Sequence, residues 1–80
     1  MYRLDDEIIK GGPVDVIAFM RVNAFDPDQW KSLDEYLEFL VSSIWRFHGK
    51  GITLEGESLE ARCESMVRQL VEHGLLEEIK

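Results

Sequence analysis

Residues 58–79 read SLEARCESMVRQLVEHGLLEEI. Leu59, Cys63, Met66, Val67, Leu70 and Val71 recur at three- and four-residue intervals, which puts them on one side of an α-helix. Glu60, Arg62, Glu64, Arg68 and Glu72 fill the opposite side, so the run predicts an amphipathic helix over residues 58–73. Ser58 has the chemistry of an N-cap, with a hydroxyl that can accept a backbone N–H of the first turn. Gly74 suits the left-handed residue at which helices stop. A closing helix of this kind either offers its polar side to a DNA groove or shuts a core, and the rest of the chain has to decide between the two.

Immediately upstream, residues 32–48 predict a second helix. Ser32 and Glu35 have the spacing of a capping box, and Gly49 supplies the stop. Leu33, Tyr36, Leu37, Leu40, Val41, Ile44, Phe47 and His48 cover nearly half its circumference, a width that calls for packing partners on two sides. DPDQW, at residues 26–30, reads as a capping turn, with Asp26 as the cap and Pro27 next to it.

The first third of the chain admits two readings. Pro13 is well placed for the first turn of a helix over residues 13–24, and this reading is favoured. The Val, Ile and Phe content of that run would also suit a strand, paired with residues 1–9 across a Gly-Gly-Pro turn. The expected fold class is therefore mainly α, a compact three-helix domain. An α+β domain with an N-terminal β-hairpin is the alternative.

Eighty residues and 9.3 kDa leave room for a single domain spanning residues 1–80. The 45% hydrophobic and 31% charged residues are globular proportions, so a folded chain is expected. The lone Cys63 cannot form an internal disulfide, which leaves packing, or a second copy of the chain, to stabilise so small a core. Three acids at residues 5–7 are the opposite of a secretory leader's basic start, and no apolar run is long enough to span a bilayer; a cytoplasmic location is expected.

Sixteen acids against nine bases give a formal charge of -7, a field that repels nucleic acid and anionic lipid. The charge is uneven. Residues 1–40 hold nine acids and four bases, and residues 53–80 hold seven and three, whereas residues 41–52 hold Arg46 and Lys50 alone.

Taken together, VIAFMRVNAF, WKSLDEYLEFL and SLEARCESMVRQLVEHGLLEEI resemble the three-helix part of winged helix-turn-helix domains over residues 14–79. Leu33, Leu37 and Leu40 match the buried positions of that family's second helix. Leu70, Gly74, Leu75 and Leu76 match the ending of its third helix. The resemblance implies a winged-helix-like domain, here with little or no wing, and a regulatory role. Members of the family bind DNA, and acidic ones bind proteins instead.

Site candidates follow from these patterns. Cys63, His48 and His73 are the only soft metal ligands and lack the spacing of a zinc motif, so neither a metal nor another cofactor is expected. Cys63 reads as a small buried hydrophobe and His73 as a helix-end partner. No nucleophile, base and orienting acid fall together, and no enzyme activity is expected. The stretch IWRFHGKG, residues 44–51, combines residue types that dominate protein interfaces. Trp45 and Phe39 lie at the rim of or outside the apolar face, so Phe39, Trp45, Arg46 and Phe47 are the expected protein-contact residues, with a partner protein or a second copy as occupant. The alternative is a DNA-binding regulator using Arg62, Ser65, Arg68 and Gln69 on base edges and Arg46 and Lys50 on phosphates.

Overall fold

The computed structural model describes residues 1–24 and 26–79. In chain order these form β1 (Tyr2–Leu4), β2 (Glu7–Ile9), α1 (Pro13–Val22), a single 3-10 turn (Pro27–Gln29), α2 (Leu33–His48), α3 (Leu59–Glu72) and β3 (Glu77–Glu78). The domain is mainly α with an N-terminal β-hairpin.

The helix and the hairpin, read from the sequence as alternatives, are both present. Residues 2–9 fold back on themselves, with Tyr2 opposite Ile9 and Leu4 opposite Glu7, so the partner of β1 is β2 and not residues 13–24. The two-residue turn at Asp5 and Asp6 makes this possible: Asp5 takes φ 54°, a left-handed conformation that Asp tolerates better than most residues. β3 then pairs with the free side of β1, Tyr2 opposite Glu78 and Arg3 opposite Glu77, giving the order β2-β1-β3. The strand that follows α3 is thus completed by the start of the chain.

The caps explain where each helix begins and ends. At α1 the Asp15 carboxylate reaches back to accept the Gly12 N–H at 2.9 Å. Gly11 must be glycine beside it: its φ is 116°, and a Cβ there would lie 2.4 Å from Asp15 Oδ2. At α2 Ser32 Oγ accepts the Glu35 N–H at 3.3 Å. The reciprocal bond of the expected capping box is displaced by one residue, because Glu35 accepts the N–H of Lys31 and not that of Ser32. Asp26, read as a side-chain cap, also acts differently. It sits at φ 54° without a side-chain capping bond, and its carbonyl takes the Gln29 N–H. At α3 Ser58 Oγ accepts the Ala61 N–H at 3.1 Å. That helix ends in a Schellman pair, Leu75 N–H to the Leu70 carbonyl and Gly74 N–H to the Val71 carbonyl, with Gly74 at φ 75°.

The core lies where the three helices and the inner face of the sheet meet. Ile17 of α1, Leu37 of α2 and Met66 of α3 are fully buried, each stabilising the fold by about 1.5–3 kcal/mol through removal of apolar surface from water. Tyr36, Leu40 and Ile44 extend the α2 contribution, Cys63, Val67 and Leu70 that of α3, and Ile9 and Leu76 seal the sheet side. Trp30 is buried against the first turns of α2, its ring edge-on to Tyr36 at 4.7 Å and tilted against Phe39 at 4.7 Å.

Candidate interaction surface

Ile44 is the last buried residue of α2. The helix runs one further turn, to His48, with no core beneath it, so Trp45 is 65% and Phe47 75% exposed. The sequence pattern put Phe47 and His48 on the buried face. Their angular position fits that reading, but the neighbouring elements stop short of them, and both are exposed. Arg46 and Lys50 are exposed as well, so the chain's one basic island is set on this overhanging turn. Phe39, the remaining expected contact residue, is 43% exposed and rests part of its ring on Trp30. At 100° per residue Trp45 and Phe47 point to opposite flanks of α2, and Phe47 shares its flank with Ser43.

On the Phe47 flank lies an apolar groove of about 420 Å³. Leu4, Met20, Leu40, Ile44, Leu70 and Leu75 line it, and the exposed Phe47 stands at its lip. Gly74 helps line it, and the space where a Cβ would stand is open. Among the described residues, the only ionisable groups on the lining are Asp5, from the hairpin turn, and His48, from the end of α2. A wider hollow of about 990 Å³ on the outer face of the sheet carries four carboxylates, Asp5, Asp6, Glu77 and Glu78, and the Arg3 guanidinium there is paired with Glu77. Its size reflects a shallow, charged surface, and the smaller apolar groove is the better built of the two.

The flank of α3 proposed for base edges is occupied from within. Residues 49–58 leave α2 as an irregular strap that anchors Ile52 in the core and runs along α3. The Gln69 side-chain amide pairs with the backbone of Thr53 in both directions, accepting its N–H at 3.1 Å and donating to its carbonyl at 2.7 Å. Ser65, 4% exposed, donates to the same carbonyl and accepts the Glu55 N–H at 3.2 Å. Arg62 stands beside Asp34 of α2, Nη2 to Oδ1 3.0 Å. This is a contact between charges and not an aligned hydrogen bond, since Asp34 Oδ1 and Arg62 Nε both lack hydrogen-bond partners. Arg68 is exposed, with Glu72 one turn away at 3.9 Å. The structural role of Ser65 and Gln69 has no sequence signature. It depends on a strap ten to sixteen residues away that has no periodicity of its own.

Cys63 is fully buried on the inner side of α3. Burial pushes its thiol up from the usual range; Asp34 pushes the same way and Arg62 opposes, so the nucleophilic thiolate is disfavoured. Among the described residues no group of three or more His, Cys, Asp or Glu side chains is placed to hold a metal ion. No helix formed by them is long and apolar enough to cross a membrane. Comparison with the models of known protein families, with characterised proteins and with solved structures gave no match.

Proposed function

We propose that the chain is a small, non-enzymatic protein-contact module, winged-helix-like in its helices, that presents the last turn of α2 and the adjoining groove to a protein surface. One observation carries this reading. Two large aromatics, Trp45 and Phe47, stand in water on a helix whose other large apolar side chains on the core side are covered, and one of them borders an apolar groove. Aromatic and Arg side chains supply most of the binding energy at protein interfaces, and this turn provides both types next to a place where an apolar group can be buried.

The acidic surface supports a protein partner over a polyanion. Of the six residues that a DNA-reading surface would use, Ser65 and Gln69 hold the strap and Arg62 faces Asp34, which leaves Arg46, Lys50 and Arg68. The test is site-specific photo-crosslinking in the native host, with the reactive group at position 45 or 47 and a control at Glu60 on the exposed side of α3. Discrete protein adducts from 45 or 47 and none from 60 are expected. Equal labelling at all three positions would defeat the reading. A duplex-binding assay at low salt gives no retention if the acidic surface governs, and retention abolished by Arg68→Ala would establish the opposite.

A further inference from the structure

We infer that the occupant of the groove is the Phe47 side chain of a second copy of this chain, in a two-fold symmetric dimer. The inference rests on the protein-contact reading and specifies its partner.

A symmetric interface uses one patch twice, so any projection on the patch needs its matching recess on that same patch. Phe47 and the groove meet that requirement, because the most exposed aromatic among the described residues stands at the lip of an apolar hollow large enough to accept it. A heterologous partner would place no such demand on the pair. The charges repeat the pattern. Asp5 and His48 are the only ionisable groups on the lining among the described residues and come from different elements, the hairpin turn and the end of α2. A two-fold axis through the groove sets each Asp5 carboxylate against the partner copy's His48 imidazole, so both polar groups are answered without help from another protein. Gly74, with nothing filling its Cβ position, lets a neighbouring ring approach the backbone at the groove wall.

For an 80-residue domain with no disulfide, burying the overhanging turn also supplies stabilisation that its own core lacks the size to give.

Sedimentation equilibrium on the full chain decides the question. The wild type is expected to move from a 9.3 kDa species toward twice that mass as concentration rises. Phe47→Asp is expected to hold it at the single mass up to about 1 mM, with an unchanged circular dichroism spectrum, because the residue lies outside the core. Asp5→Asn, which keeps a residue tolerant of the left-handed turn, and His48→Glu, made singly, are each expected to weaken association by at least about tenfold, and the double variant is expected to associate more tightly than His48→Glu alone because two carboxylates no longer meet across the axis. A wild type that is monomeric at about 1 mM overturns the inference. So does a dimer that survives Phe47→Asp, or a double variant no tighter than His48→Glu alone. If the chain is monomeric yet position 47 still crosslinks to another host protein, only the identity of the partner was wrong; if it does neither, the protein-contact reading fails as well.

Discussion

Helices α2 and α3 both begin on a serine N-cap and both stop at a left-handed glycine, Gly49 at φ 66° and Gly74 at φ 75°. Beyond those glycines they diverge. The chain leaving α3 turns at once into Leu76, which is buried, and β3, which joins the sheet, so the last turn of α3 is covered. The chain leaving α2 becomes the strap along α3 and moves away from the turn it has just finished, leaving Trp45 and Phe47 bare. The surface available for contact is therefore set by where the next segment goes, and helix periodicity carries no record of that.

The largest test of this contrast compares a buried residue of α3 with the exposed tip of α2. Met66 is completely buried among all three helices. Met66→Ala should cost about 3 kcal/mol, lost transfer energy plus a cavity. In a domain of this size that lowers the melting temperature by roughly 12–24 °C. Urea unfolding followed by circular dichroism measures it, and a loss below about 1 kcal/mol would mean that the covered helix is not the centre of the core.

The second test uses pH. Burial pushes the Tyr36 phenol up to about 12 from its ordinary 10.0. The unfolded chain therefore gives up this proton at a lower pH than the folded one. The stabilisation is complete below pH 10 and disappears as pH rises from 10 to about 12, at about 1.4 kcal/mol per unit. The loss approaches roughly 3 kcal/mol at its limit, and Tyr36→Phe should flatten that limb of the stability profile. An unchanged alkaline limb in Tyr36→Phe would place the titrating group elsewhere.

Much of this frame was legible in the sequence, and the legible parts are local. Ser32, Gly49, Ser58 and Gly74 mark helix ends because caps act within a turn of the residue that makes them. Leu37, Leu40, Met66 and Leu70 announce the core through their spacing alone. The N-terminal hairpin was legible only as an alternative and with the wrong partner strand, because its strands are only three residues long and its turn uses Asp5 and Asp6, where the Gly-Gly-Pro of residues 11–13 offers the stronger turn signal. At the candidate site the exposure of Trp45 and Arg46 was readable from their position on the helix. The exposure of Phe47 was not, because its angle on the helix is a core angle. The inward duty of Ser65 and Gln69 was hidden as well, since polar residues on a helix flank look solvated until a distant segment covers them.

That covering segment supplies a smaller test. Ser65→Ala removes the acceptor of the Glu55 N–H and one of the two side-chain donors to the Thr53 carbonyl, while the Gln69 pairing persists. The expected cost is about 1 kcal/mol. Amide hydrogen exchange should accelerate at residues 53 and 55 and leave the first turn of α3 unchanged, because a strap with fewer anchors opens locally before the domain unfolds. Acceleration spread evenly over α3 would show that strap and helix open as one unit.

The smallest effect on folding is expected at Phe47. Loss of a core phenylalanine costs about 3–5 kcal/mol. Phe47 remains 75% exposed, with no buried residue after Ile44 on its helix, so Phe47→Ala should change stability by less than about 0.5 kcal/mol, measured well below any self-association. A substitution that barely touches the fold while removing a contact separates the binding role from the packing role at one position, which no change at Met66 can do. A measured loss near 3 kcal/mol would mean that the end of α2 belongs to the core, as its angular position in the sequence implied, and would erase the distinction between the two helix ends.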